Sequence, residues 1–227
     1  MFILATWVFI EVADDAPEGD YLEWENQILL SLRQADDLTL TRGPWWLAEA
    51  ARDVTALGSA VVLTLLTGIV VGFLAMRRRL RTAALVLLAT FGGYLLSSGF
   101  KSHFGRDRPD VVPHLTEELS LSFPSGHSMV SSATYLTLGA LLAQTLARRR
   151  ERIYFIATAL ALTGLIGASR VYLGVHYPTD VVAGWAGGTA WAILCWGVAF
   201  WLQRRGAIRT PPQEDAAATA AEPAGTR

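Results

Sequence analysis

Charge is scarce in this chain: Asp, Glu, Lys and Arg make up 17% of its 227 residues, against roughly 25% in an average soluble domain. Cysteine occurs once, at Cys195, so neither an intrachain disulfide nor a Cys-cluster metal site can form. Lysine also occurs once, at Lys101. The formal net charge of −1 provides no global basic field for a polyanion, which argues against nucleic acid as a partner. A glycine-rich nucleotide loop, a nucleophilic-serine elbow and a carboxylate pair at glycosidase spacing are all absent. Apolar residues, by contrast, account for 52% of the chain. A membrane protein and an unusually apolar soluble helical protein both fit this balance, and segment length decides between them.

Five runs contain no charged residue: Val54–Met76, Thr82–Phe100, Ser128–Ala147, Ile153–Ser169 and Val181–Leu202. A helix needs about 20 apolar residues to cross a hydrocarbon core of roughly 30 Å, and five such runs are hard to explain as buried core helices. The runs are continuous rather than alternating, which selects helices over barrel strands. Met1–Ile10 is apolar but only about half a span long, and it lacks the basic flank of a signal peptide. It reads either as a short or truncated first span or as an interfacial anchor. The expected fold is therefore all-α: a polytopic membrane helical bundle of five full spans plus a short or truncated first span. One integral-membrane domain is expected over residues 1–205, with an interfacial or extracytoplasmic segment at about 11–53, of which 44–53 forms a short headgroup-level helix. The Ala/Pro/Thr/Glu-rich stretch 206–227 is expected to be a disordered cytoplasmic tail.

Arginines set the orientation. Arg77, Arg78, Arg79 and Arg81 separate the first two runs, Arg148, Arg149, Arg150 and Arg152 separate the third and fourth, and Arg204, Arg205 and Arg209 follow the last. The positive-inside rule places these segments in the cytoplasm. Residues 101–127 and 170–180 then face outside. So does the stretch 11–53, which carries 11 acidic residues against 3 arginines.

All four histidines and the only lysine fall in or beside the two outer connections. Lys101, Arg108 and Arg170 supply three cations, enough to hold a phosphate group and offset its charge during phosphoryl transfer. Pro124-Ser125-Gly126-His127 stands where the third run begins. Ser125 suits a helix N-cap, Gly126 lets backbone approach an anion, and the helix N-terminus offers free N–H groups. His127 is placed to protonate a leaving alkoxide. His176 and Asp180 are four residues apart, and a carboxylate on one ring nitrogen leaves the other free as nucleophile or base. Plainer readings stand beside these. A lone basic residue near a membrane is more often a snorkelling anchor, Ser125 and Gly126 can be simple caps, and Asp180 or Thr179 the N-cap of the last span. A zinc site built from His127, His176 and Asp180 is disfavoured by the neighbouring cations. His103 and His114 read as solvated loop residues, and Arg106 with Asp107 as a local ion pair. Gly184–Gly188 is a small-residue stretch suited to close helix packing, within a monomer or between chains; the sequence alone fixes no oligomeric state.

Together the three segments resemble the type 2 phosphatidic acid phosphatase family, which shares its site with vanadium haloperoxidases. That family's pattern is Lys-x6-Arg-Pro, then Pro-Ser-Gly-His, then Ser-Arg-x5-His-x3-Asp. Here it reads Lys101 to Arg108-Pro109, Pro124 to His127, and Ser169-Arg170 through His176 to Asp180. The resemblance implies a metal-independent phosphoric ester or pyrophosphate hydrolase, without cofactor, at the outer face of the cell (inner) membrane. Its substrate would be a lipid phosphate or an isoprenoid pyrophosphate such as undecaprenyl pyrophosphate. His176 would be the nucleophile that forms a phosphohistidine, oriented by Asp180, with His127 as acid. Lys101, Arg108, Ser125, Gly126 and Arg170 would form the phosphate cradle. Two other readings remain at this point. A vanadate-dependent haloperoxidase-like enzyme sits poorly with the membrane topology. A non-catalytic lipid or anion transporter would need ionisable groups at mid-depth, where the runs have none.

Overall fold

The apolar runs fold as helices, and among the described residues the only β-type pairing is an isolated bridge between Arg33 and Thr41. The structure is a computed structural model and describes residues 1–15 and 22–204. The tail expected at 206–227, with Arg205 and Arg209, lies outside the described residues. In chain order the helices are α1 (Phe2–Asp15), α2 (Leu22–Ser31), α3 (Trp46–Ala56), α4 (Ala60–Met76), α5 (Leu80–Phe104), α6 (Gly126–Thr145), α7 (Arg149–Tyr172) and α8 (Pro178–Arg204).

By length and composition α5, α7 and α8 can each cross a membrane, and α3 with α4 forms a further candidate bent by 45°. The run Val54–Met76 is thus not one straight helix, contrary to expectation. Ser59 takes extended backbone and its Oγ accepts the Val62 N–H at 3.3 Å, so α4 begins at Ala60. The preceding residues continue α3, which packs on α7. Trp45 and Trp46 project outward at its start, where interfacial tryptophans sit. On α4, Val61, Leu65, Ile69 and Phe73 recur at four-residue steps and are exposed, forming a stripe suited to lipid.

The third expected full span, α6, is not among the helices long and apolar enough to cross a membrane, and it is built differently. It sits at the centre of the bundle against α5, α7 and α8. Ser128, Ser131, Ser132, Thr134 and Thr137 are all buried along it. Its hydroxyls bond to neighbouring helices: Thr134 to Thr90 at 3.1 Å, Thr90 on to Thr67 at 3.0 Å, and Ser132 to Thr189 at 3.2 Å. Such bonds hold helices together where the solvent is hydrocarbon and apolar burial offers little drive.

Close approach of α6 and α8 depends on two glycines. A Cβ on Gly184 would lie 2.7 Å from the Ser125 carbonyl oxygen, and one on Gly188 would lie 2.2 Å from that of Met129. The small-residue stretch thus packs helices within the chain. α1 also belongs to the bundle, lying against α8. Phe9 meets Gly187, and Ala13 clusters with Phe123 and Ala183, so the two helices run antiparallel. At 14 residues α1 is about 21 Å long, well short of a full hydrocarbon core.

Adding a methyl at Gly188 forces α6 and α8 apart where Met129 and Ser132 face α8. Gly188→Ala should destabilise the protein by about 1–3 kcal/mol, read as a lowered Tm in detergent. The same change at Gly72, where nothing lies within 4 Å of the added Cβ, should leave Tm unchanged or slightly raised.

Candidate active site

α5 ends at Gly105, whose φ of 64° turns the chain out of the helix after Lys101 and His103. The loop 105–125 that follows crosses the ends of α7 and α8, and Leu115 N–H bonds to the Leu173 carbonyl there. The loop therefore brings the three motifs to one end of the bundle. The Arg-rich linkers around Arg77–Arg79 and Arg148 join the helices at the other end.

His176 lies in the short α7–α8 connection and is 1% exposed. Its Nδ1 is 3.3 Å from Asp180 Oδ2, and its Nε2 is 3.2 Å from an Arg108 guanidinium nitrogen. Asp180 offers lone pairs and Arg108 only donors. The neutral ring therefore carries its proton on Nδ1, donated to Asp180, and directs the Nε2 lone pair toward Arg108. Burial, followed by the charges of Arg170, Arg108, Lys101 and His127, pushes the ring's proton affinity well below the ordinary histidine value. His176 is thus neutral at physiological pH, with an unprotonated nitrogen facing cations.

Asp180 is the hub of the site. Its Oδ2 accepts the Ser122 hydroxyl at 2.5 Å and the Tyr177 N–H at 2.9 Å. Its Oδ1 pairs with Arg106 at 2.8 Å, and its backbone carbonyl accepts the Ser125 N–H at 2.9 Å. The last bond ties the N-terminus of α6 to that of α8. Ser125 is the N-cap of α6, its Oγ accepting from Ser128 N–H. Gly126 lies against the lysine stem, since a Cβ there would be 3.7 Å from Lys101 Cε. His127 sits in the first turn of α6 beside the α3–α4 break, its Cδ2 3.4 Å from the position of a Cβ on Gly58.

The three expected cations gather around the same space. The Lys101 ammonium donates to the Leu121 carbonyl. Arg108 donates to the carbonyls of Ser120 at 2.7 Å and Val175 at 2.6 Å. Arg170 is 1% exposed, donates to Thr55 Oγ1 at 3.2 Å, and leaves its Nε without a partner. Between the arginines stands a carboxylate absent from the sequence-based set. Glu118 pairs with Arg170 through Oε1 and approaches Arg108 to 3.6 Å through Oε2. Burial works to raise the Glu118 carboxyl, but Arg170, His127 and Arg108 outweigh it and hold it below its usual range. Glu118 is therefore ionised.

The structure also corrects the reading of Arg106. It does not pair with Asp107; it turns inward to Asp180 and, at 2.6 Å, to Glu25 of α2. Glu25 is fully buried and also accepts the Thr179 N–H and hydroxyl, at 3.0 and 2.5 Å. His114 is likewise engaged, its Nε2 2.6 Å from the Pro109 carbonyl. Ser122, Glu118, Arg106 and Glu25 are the site residues that the sequence reading missed. The signal for Arg106 was its place inside Lys-x6-Arg-Pro; Glu25 sits in no motif.

Comparison with known proteins gives a consistent picture. A family model, the PAP2 superfamily, matches residues 82–204. Phosphatidylglycerophosphatase B of Bacillus subtilis (strain 168) is 38% identical over 152 residues, which cover 66% of this chain and 73% of that protein. Lipid A 1-phosphatase of Rhizobium johnstonii is 36% identical over 127 residues, 52% of this chain but only 47% of that protein. A crystal structure of a transmembrane PAP2-type phosphatidylglycerolphosphate phosphatase from Bacillus subtilis superposes with a TM-score of 0.79 at 29% identity. It covers 89% of this chain and 98% of that one.

The two neighbouring residues Arg106 and Asp107 should respond oppositely to substitution. Arg106→Ala strands two buried carboxylates and should cost about 3–5 kcal/mol of stability. Asp107→Asn should stay within about 0.5 kcal/mol of the parent. Thermal unfolding in detergent measures both, and equal effects would contradict the inward pairing.

Proposed function

Since the chain belongs to the PAP2 superfamily, we propose that it hydrolyses a membrane lipid phosphate at the outer membrane face through a phosphohistidine on His176. It is an integral-membrane phosphoric ester hydrolase of lipid-phosphatase type; the nucleophile, the face and the substrate are the proposal. The single observation that carries it is the setting of His176: Nδ1 lies 3.3 Å from Asp180 and Nε2 3.2 Å from Arg108, an arrangement that assigns the ring proton to Nδ1 and leaves the Nε2 lone pair toward the cations.

In the proposed reaction the Nε2 lone pair attacks the terminal phosphorus, and its bond to the leaving oxygen breaks: that of the lipid alcohol in a phosphomonoester, or of the lipid monophosphate in a pyrophosphate. His127 gives its proton to that oxygen. A water then attacks the phosphorus, His127 takes its proton, the N–P bond breaks and inorganic phosphate leaves. Lys101, Arg108 and Arg170, with the Gly126 amide at the α6 N-terminus, offset charge on the equatorial oxygens. Ser125 supports that N-terminus as its cap. The substrate is a lipid phosphomonoester or an isoprenoid pyrophosphate. Its apolar chains rest in the bilayer while the head group meets the loop end of the bundle. The Arg-rich linkers at the opposite end favour a cytoplasmic side there, hence an inner-membrane protein with its site facing the periplasm or exterior and its C-terminus inside. Neither cofactor nor metal is part of this proposal.

His176→Ala should lower turnover at least ~10³-fold against a panel of phosphatidic acid, phosphatidylglycerol phosphate and undecaprenyl pyrophosphate. EDTA should leave the parent rate unchanged. With labelled substrate, the parent should yield an acid-labile phosphoenzyme that His176→Ala lacks; without one the nucleophile assignment fails.

The reaction requires His176 unprotonated, so kcat/KM should fall along an acid limb as that ring takes up a proton. Because burial and cations depress His176, its acid limb should fall below the ordinary value of about 6.5. An acid limb above that value would contradict the site's electrostatics.

A further inference from the structure

We infer that Glu25, on a helix outside the stretch matched by the family model, is a positioning residue for the His176 nucleophile, acting through Arg106 and Asp180. The inference rests on the phosphohistidine reading and extends it.

Four groups form a line in which each contact is separately assigned. Glu25 Oε1 is taken by the Thr179 N–H and hydroxyl, which leaves Oε2 for one arm of the Arg106 guanidinium at 2.6 Å. The other arm is shared by Asp180 Oδ1 and Thr179 Oγ1, both at 2.8 Å. The face of the guanidinium lies over the Tyr177 ring, 4.3 Å from its centroid. A planar fork held at both arms and on one face has no rotation left. Asp180 is therefore fixed in the plane that presents Oδ2 to His176 Nδ1.

The line also balances charge. Two carboxylates flank one guanidinium, so with both ionised the cluster behind His176 is negative by one unit. In front of the ring stand Arg108, Arg170 and Lys101, with His127 beside them and Glu118 between the arginines. When Nε2 bonds to phosphorus the imidazole becomes cationic while keeping its Nδ1 proton. A net negative cluster favours that product; with Glu25 neutralised, Arg106 and Asp180 only cancel each other. Glu25 reaches neither phosphate nor leaving group, so its influence belongs to the chemical step rather than to substrate binding.

The test uses full-length protein in detergent, with the most rapidly hydrolysed lipid of the panel above, well below each variant's Tm. Glu25→Gln keeps the size of the side chain and removes its charge. Its kcat should fall about tenfold to a hundredfold while KM stays within about twofold. Its acid limb should move to lower pH, because a negative charge that favours imidazolium is gone. Glu25→Asp, which retains the charge, should recover the parental acid limb at reduced kcat. Should Glu25→Gln not fold, Glu25→Asp alone carries the test through its kcat-against-KM split. An unchanged kcat, or equal losses in kcat and KM with an unmoved acid limb, would reduce Glu25 to an anchor for α2 and overturn the inference. His176→Ala assayed in parallel separates the two failures. If it stays active, the phosphohistidine reading falls; if it is inactive while Glu25→Gln is unimpaired, only the role of Glu25 falls.

Discussion

The buried carboxylate of Asp180 holds the site end of this bundle together. Taking a carboxylate out of water costs several kcal/mol unless its lone pairs are filled. Here a hydroxyl, a backbone N–H, a guanidinium and an imidazole fill them, two from each of two loops. Because Ser122 and Arg106 lie in the α5–α6 loop and Tyr177 and His176 in the α7–α8 connection, satisfying one carboxylate draws both loops over the bundle. The backbone bond from Ser125 to Asp180 then joins the starts of two helices. Fold and chemistry meet in this residue: the contacts that offset its desolvation also orient the imidazole.

The bilayer shapes the remainder. Lipid-facing helices such as α4 carry an outward aliphatic stripe, while α6, enclosed by three helices, is lined with serine and threonine. Hydroxyls at helix crossings and glycines at the closest approaches do here what large apolar side chains do in a soluble core. Among the described residues the ionisable groups of the site stay at helix ends and in loops, so the polar chemistry never has to be carried into the hydrocarbon centre.

Much of this was legible in the sequence because it is encoded at short range. Uncharged run length marks the helices, and the three motifs name His127, His176, Asp180 and the cations through fixed spacing. What was hidden depends on chain brought from far away. Arg106 reads as a partner for Asp107 because the two are adjacent. In the folded chain, however, Arg106 is buried while Asp107 stays exposed, and Arg106 finds Glu25, 81 positions earlier, instead. Glu25 and Glu118 each sit among other acidic residues with nothing local to distinguish them. The break at Gly58–Ser59 lay inside an uncharged run, where length and hydropathy are blind to a cap. Ser122 falls two residues before a recognised motif, and its role appears only once Asp180 is placed beside it.

Glu118 gives the proposed phosphate cradle a property that a simple cluster of cations would lack. With its carboxylate between Arg170 and Arg108, the cluster is already partly neutralised before a phosphate arrives. On the proposed function, the site works as an ion exchanger: one anion enters as another steps aside. Affinity then reflects the difference between two anions rather than the full attraction of three cations. The same exchange run backwards gives inorganic phosphate a competitor waiting within the site, which opposes the trapping of product that so much positive charge would otherwise impose.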